Sequence, residues 1–417
     1  MRLKDITYLN PKYCKHDADT SVAFVPMECL RIDEIEQREI SLKEGSEKYT
    51  YFANGDLLIA KVTPCFENGN IAVANNLRGG IGFGSSEIFV LRMTKKADSR
   101  YMFYRALSSP FQDAACATMC GVGGLKRISP LFMRTYEMDV PAISEQHKIV
   151  AYLDKQIDNI NKRIWLRERE LQTLNKLKQS EIDAVVTRGL NPNVKMKDSG
   201  IDWMGMIPEH WKTIRLKDIS FMYSGLTGKA GDDFRCEDLS KTKPFIPFTN
   251  ILNNTVVAFD SFKQVVMSDD EDQNKVREND ILFLMSSEDY ESIGKTAIVI
   301  GDPGEVYLNS FCRGLRIMNH KDVYPKFVNY LLSSDKYRDA LRFEARGFTR
   351  INLKIDKISS LSIALPPIEE QKAIVEFIDS QYAKIDGIVS NINKQIEKLK
   401  ILKKSLINEV ITGQRAI

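Results

Sequence analysis

Residues 140–187 and 365–412 are two copies of one passage. Adding 225 to each number lays Val140–Thr187 on Leu365–Thr412 without a gap, and 16 of those 48 positions are identical. The shared residues include Pro141/Pro366, Glu145/Glu370, Gln146/Gln371, Asp154/Asp379, Ser180/Ser405 and Thr187/Thr412. The preceding regions correspond more weakly: "RLKDI" at 2–6 returns at 215–219, "GDLLIAKV" at 55–62 has the pattern of "NDILFLMS" at 279–286, and "SEIFVLR" at 86–92 aligns with "SFCRGLR" at 310–316. A repeat at this period makes the chain two copies of one unit, each a globular part followed by a helix.

The repeated passage has the periodicity of a long helix. In the second copy apolar residues fall at Val375, Ile378, Tyr382, Ile385, Val389, Ile392, Ile396 and Leu399, an alternation of three and four that makes a heptad seam on one face. The first copy has Val150, Leu153, Ile157, Ile160 and Ile164, then Leu171 and Leu174, with Arg167 interrupting the seam. Prolines precede both starts, and Glu145, Glu369 and Glu370 put negative charge at the positive end of the helix dipole. A helix with one apolar stripe needs a partner, and the simplest is the other copy, as an intramolecular coiled coil. Packing of each helix on its own globular part is the alternative.

The globular halves read as mixed α and β. Short β-rich runs such as "GDLLIAKV", "IGFGSSEIFVLRM", "NDILFLMS" and "KTAIVI" are divided by Gly, Asn and Asp turns. Helical stretches follow at 100–116 and 324–345. After each comes a Gly-rich basic loop, "CGVGGLKRIS" at 120–129 and "ARGFTRINL" at 345–353, in equivalent places of the two halves. The polar, Gly- and Pro-punctuated stretch 190–212 reads as a linker.

At 417 residues, 43% hydrophobic and 28% charged, the chain can bury two ordinary cores. Lys and Arg number 59 against 56 Asp and Glu, so a basic surface, if present, must be local. The seven cysteines, with Cys116 and Cys120 spaced CxxxC and no histidine near them, are expected to be buried free thiols. No signal peptide opens the sequence and no apolar run approaches the roughly 20 residues that span a bilayer, so a cytoplasmic location is expected. "SGLTGKAG" at 224–231 fails the phosphate-loop spacing, and no HExxH, GxSxG or dinucleotide fingerprint occurs. "EDYESIGK" at 288–295 offers carboxylates and a lysine, but "TPCFENGN" in the first half does not preserve them. On these residues alone, a coiled-coil scaffold that does not touch DNA stays open beside a DNA-binding protein.

Two variable halves, each closed by a P-x-x-x-EQ helix (Pro141–Gln146, Pro366–Gln371), with "IPEHWKTIRLKDI" at 207–219 opening the second and "VITGQ" near the end, resemble the specificity subunit of type I restriction-modification enzymes. The resemblance covers essentially the whole chain. It implies an α+β fold in which two target-recognition domains are separated by two long helices in an antiparallel intramolecular coiled coil. The implied division is 1–140 for the first target-recognition domain, 141–189 for the central spacer helix, 190–212 for the linker, 213–364 for the second domain and 365–417 for the C-terminal spacer helix.

The resemblance further implies a non-catalytic subunit whose domains each read half of a split double-stranded DNA target. Its helices would set the spacer and dock two modification (methyltransferase) subunits, with restriction (ATP-dependent endonuclease) subunits joining the complex. No cofactor is expected on this chain and no metal or catalytic residue; S-adenosylmethionine and ATP with magnesium belong to the partners. Base edges call for Arg, Lys, Asn and Gln, while hydroxyls and main-chain amides hold phosphates. The candidates are therefore Lys126 and Arg127 in the first loop and Arg346, Thr349 and Arg350 in the second. Lys61, Thr63, Ser286 and Ser287, which follow equivalent strands, complete the set.

Overall fold

The computed structural model describes residues 1–13, 20–121, 124–235, 238–268 and 270–417. It divides into two compact units, Met1–Glu168 with Ile392–Ile417, and Arg169–Asn391. Each long helix therefore contributes its first part to one unit and its last part to the other.

The first unit is built on a four-stranded antiparallel sheet in the order Thr7–Leu9, Ile88–Met93, Leu57–Ala60, Ile71–Val73. The second repeats that order with Ser220–Ser224, Cys312–Ile317, Ile281–Leu284 and Thr296–Ile298. The middle strands Leu57–Ala60 and Ile281–Leu284 are buried along their whole length, which is why they read as unbroken apolar runs rather than alternating ones. A second sheet accompanies each: Arg38–Ser41, Ser21–Val25, Ile81–Gly84, Thr50–Ala53 in the first unit, and Lys263–Val266, Thr242–Ile246, Tyr307–Leu308 in the second. In both, one pair is parallel, Ser21–Val25 with Ile81–Gly84 and Thr242–Ile246 with Tyr307–Leu308.

The weak correspondences in sequence are structural equivalences. Asp56 and Asp280, fully buried at the turn into the middle strand, each receive a bidentate guanidinium from the neighbouring strand: Arg92 at 2.8 and 2.7 Å, Arg316 at 2.7 and 2.7 Å. Each carboxylate also accepts the backbone N–H that opens its turn, from Ala53 and from Arg277, both at 2.8 Å. A buried carboxylate is tolerable only when paired and hydrogen-bonded in this way.

The helical stretches expected at 100–116 and 324–345 are each built of two helices. Ser99–Leu107 and Ser109–Ala117 meet at Ser108, and Pro325–Ser333 and Asp335–Glu344 meet at Ser334, both serines being extended (φ −72°, ψ 147° and φ −69°, ψ 150°). Each serine hydroxyl donates back to a carbonyl three residues earlier at 2.7 Å, Arg105 and Leu331, competing with continuation of the helix.

The repeated passages form helices Ile143–Arg188 and Ile368–Ile411. In the first unit Ile149, Leu153, Ile157 and Ile160 share one core with Leu406, Ile407, Val410 and Ile411, and Lys403 reaches Asn161 at 2.9 Å. In the second unit Ile182 and Val186 share a core with Ile374, Val375 and Ile378, and Lys178 reaches Asp386 at 2.8 Å. The start of one helix packs against the end of the other in each unit, which is antiparallel pairing. The seam serves the globular cores as well, since the same clusters contain Tyr101 and Phe103, or Trp211 and Phe327.

All five described cysteines are free, but the expected burial holds only for Cys29 and Cys312. Cys65 and Cys116 are half-buried, and Cys120 is exposed because it closes a surface loop; Cys14 and Cys236 lie outside the described residues. Among the described residues no helix is long and apolar enough to cross a membrane.

Candidate nucleic-acid interface

In each unit the basic loop folds back on the residues that follow the middle strand. In the first, Cys120 and Arg127 close the loop with two backbone hydrogen bonds, Cys120 N–H to Arg127 O at 3.0 Å and Arg127 N–H to Cys120 O at 2.9 Å. Arg127 bridges Val62 on its other side, Ile128 N–H donates to Lys61 O at 3.0 Å, and Thr63 N–H donates to Lys126 O at 3.0 Å. The Thr63 hydroxyl donates to Gly124 O at 2.9 Å and accepts from Lys126 N–H at 3.0 Å. Lys61, Thr63, Lys126 and Arg127 thus share one small ladder.

The second unit repeats the arrangement. Arg346 and Asn352 close the loop through reciprocal backbone bonds of 3.0 and 2.8 Å, and Ser286 and Ser287 pair with Asn352 and Ile351. The closing turn depends on glycine. Gly121 (φ 157°) and Gly347 (φ 148°) occupy equivalent places, and a Cβ there would stand 2.1 Å from Leu125 O or 2.0 Å from Arg350 O.

The candidate side chains differ in what they can offer a ligand. Lys126, Thr349 and Arg350 are exposed. The Arg350 guanidinium lies 4.3 Å from the centre of the Phe311 ring, a stacked geometry that fixes the fork while leaving its donors available. Arg127 is engaged by Glu87 in a bidentate pair of 3.0 and 3.1 Å, and that hydrogen bonding raises its pKa. Lys61 is half-buried: its ammonium donates to Ser86 O at 2.5 Å and lies over Phe89, and burial pulls its pKa down. Arg346 donates to the carbonyls of Phe343 and Ala345 at 2.5 and 2.8 Å, bracing the loop's own backbone. The Ser287 hydroxyl accepts from Asp289 N–H at 3.3 Å, whereas the Ser286 Oγ is buried without a hydrogen-bond partner.

Reading for donors and basic residues passes over the aromatic side chains beside them. Phe248 and Phe311, 40% and 39% exposed, line a recess together with Ser286, Ser287 and Arg350. Phe348, inside the basic loop, is 99% exposed. Its exposure had a sequence signal in "GFTR", a phenylalanine with no apolar neighbour on either side. "EDYESIGK" is loop and turn, with Asp289 accepting from Ser292 N–H at 2.7 Å. Among the described residues no group of three or more His, Cys, Asp or Glu could hold a metal ion.

Residues 208–398 match the family described as the type I restriction modification DNA specificity domain. The chain is 35% identical over 158 residues to the EcoEI type I restriction enzyme specificity subunit of Escherichia coli, covering 37% of this chain and 26% of that protein. It is 25% identical over 344 residues to the MjaVIII specificity subunit of Methanocaldococcus jannaschii, covering 81% and 75%. The chain is thus similar to type I restriction-modification specificity subunits, by a family match over its second half and by relatives that align with up to 81% of it.

Solved structures carry the fold match along the whole chain. A chain from a structure addressing complex assembly and conformational transition of the type I R-M system superposes with a TM-score of 0.71 at 16% identity, over 99% of this chain and 96% of that one. The HsdS subunit of Thermoanaerobacter tengcongensis gives 0.50 at 16%, over 100% and 96%. The alignment to the EcoEI relative spans about a quarter of that protein (26%).

Proposed function

We propose that this chain is the DNA sequence-recognition subunit of a type I restriction-modification complex, each unit reading one half of a bipartite target. The observation that carries the reading is the duplicated loop. Two glycine-closed loops bearing Lys126 and Arg350 lean on equivalent strand ends in two units whose globular parts otherwise correspond only weakly in sequence. Turn chemistry alone does not require exposed cations in both. Exposed Lys and Arg, with hydroxyls beside them, are the groups that hold phosphates and reach base edges.

The two helices supply the connection and a docking surface. Outside the seam they expose Leu166, Leu177, Ile388, Ile401 and Leu402, more large apolar surface than a pair of helices leaves to water without a partner. We assign those positions to two modification subunits, with S-adenosylmethionine bound there and restriction subunits with ATP and magnesium joining the same complex. The chain itself contributes recognition and spacing, not catalysis, and works in the cytoplasm.

The test is binding of the full-length chain to a pool of randomised duplexes at low and at moderate salt, with sequencing of the bound fraction. Recovery of a bipartite motif with a fixed gap is the expected result. Binding that falls with salt yet enriches no motif leaves only non-specific attraction to phosphates. No binding at low salt favours a scaffold and overturns the proposal.

A further inference from the structure

The recess beside the second loop has features that a surface holding only the DNA backbone does not need. It has a volume of about 220 Å³, and it is lined by Phe248, by Phe311 with the Arg350 guanidinium over its ring, and also by Glu288 and Asp289. At its margin the buried Ser286 Oγ has no partner, although a buried hydroxyl ordinarily finds one. Aromatic faces, a guanidinium plane and an unpaired hydroxyl are the groups that sandwich a heterocycle and hydrogen-bond its edge. Two residues before Arg350, Phe348 stands 99% exposed on a loop whose ends are pinned by the Arg346–Asn352 bonds. An apolar ring held in water on a rigid basic loop is the form of side chain that enters a base stack.

We infer that the Phe248–Phe311–Ser286 recess receives a nucleobase turned out of the duplex, and that Phe348 fills the space the base leaves. This rests on the reading that the second unit binds DNA, and it adds a deformation that the reading does not require. No bond is made or broken. The base exchanges its stacking neighbours in the duplex for Phe248 and the Arg350 guanidinium that lies over Phe311.

Removing a base from the duplex removes the cost of turning it out, so an abasic site at the right position should improve binding. The experiment uses the full-length chain and the duplex it selects from a randomised pool, remade as a series with one abasic site at each successive position. One position in the half-site assigned to the second unit is expected to bind tenfold or more tightly than the intact duplex. Phe348→Ala is expected to weaken the intact duplex by about tenfold with its sequence preference unchanged, and Phe311→Ala to weaken the intact duplex while leaving the abasic one as tightly bound, so that the preference for the abasic position widens. Phe348 is so exposed that its replacement leaves the fold intact, which a melting curve verifies. Specific binding to the intact duplex, with every abasic duplex equal or weaker, overturns the inference and leaves the recognition function standing. So does a recess that takes free nucleosides while every abasic duplex binds no better than the intact one. A chain that selects no sequence overturns both.

Discussion

Gln146 and Gln371, 225 positions apart and both fully buried, hold the same three backbone groups. The Gln146 amide donates to Lys96 O and Pro141 O at 2.9 and 2.8 Å and accepts from Asp98 N–H at 2.8 Å. The Gln371 amide donates to Asp322 O and Pro366 O, both at 2.8 Å, and accepts from Tyr324 N–H at 2.8 Å. One side chain thus fastens the first turn of the long helix to the segment that enters the preceding helix pair. Asp154 and Asp379, two turns on, repeat the fastening by accepting from Tyr104 and Tyr330 hydroxyls at 2.5 and 2.6 Å. This explains in physical terms why the glutamine of "EQ" and the following Asp occur twice.

Gln371→Ala should therefore strand a buried N–H and two carbonyls. At about 1–3 kcal/mol for each buried group left unsatisfied, partly relieved by water, a loss of about 3 kcal/mol is expected. Gln146→Ala should cost the same in the first unit. Urea unfolding of both variants checks this, and a loss below about 1 kcal/mol in either would mean that water replaces the amide.

The buried pairs make a second prediction. Asp280→Ala leaves the Arg316 guanidinium without its carboxylate, and it strands Tyr223, whose hydroxyl donates to Asp280 at 2.6 Å. Removal of one partner from a buried pair costs about 3–5 kcal/mol, and the partial exposure of Arg316 puts the expected value at the lower end. The double variant Asp280→Leu with Arg316→Met should recover the part due to the unpaired guanidinium and retain the part due to the Tyr223 hydroxyl and Arg277 N–H, measured by the same unfolding curves.

How much of this was legible is uneven. Periodicity exposed the two helices and their seam, because a stripe buried along 40 residues must repeat at the helical period. The strands were legible because their middle members are apolar throughout. The breaks at Ser108 and Ser334 were not, since serine is compatible with helix and only the competing hydroxyl bond and the packing decide. The aspartate–arginine pairs join residues 36 positions apart (56 to 92, 280 to 316) and can be recognised only once two strands are known to be neighbours. The aromatic recess draws on residues from 248 to 350, and nothing local in sequence marks them as one wall. The basic loops were found because they repeat; their aromatic residues do not.

The ends of the long helices give a pH-dependent prediction. Asn408 accepts from Ser109 N–H at 2.7 Å, and Asp183, its counterpart in the repeat, accepts from Asp335 N–H at 2.9 Å, so each side chain caps a short helix. The carboxyl of Asp183 is pushed up to about 6 from 3.8, first by burial and then by the facing Asp335. A carboxyl whose pKa rises on folding takes up a proton, so its contribution is full below about pH 4 and is lost as pH rises through 6. Asp183→Asn keeps the capping oxygen and removes the charge. The variant should be more stable than the parent at pH 8, and the gap should close as pH falls from 7 to 4. Melting temperatures across that range test it; a constant gap would mean that Asp183 does not titrate there.

The exposed cations of the two loops should separate into readers and holders. Arg350 has its fork fixed against Phe311, the state of a guanidinium set for a bidentate contact to a base edge, whereas Lys126 is an exposed point charge on a flexible stem. Arg350→Ala should cost about 1–3 kcal/mol and relax the sequence preference in one half-site only. Lys126→Ala should weaken binding to every sequence alike and lower the salt slope by about 1. Gly347→Ala should reproduce the Arg350→Ala pattern without touching Arg350, because a Cβ 2.0 Å from Arg350 O forces the loop to rebuild. The measurement is the sequence motif and salt dependence of each full-length variant on duplex DNA. Equal relaxation of both half-sites by Arg350→Ala would contradict the division of reading between the two units.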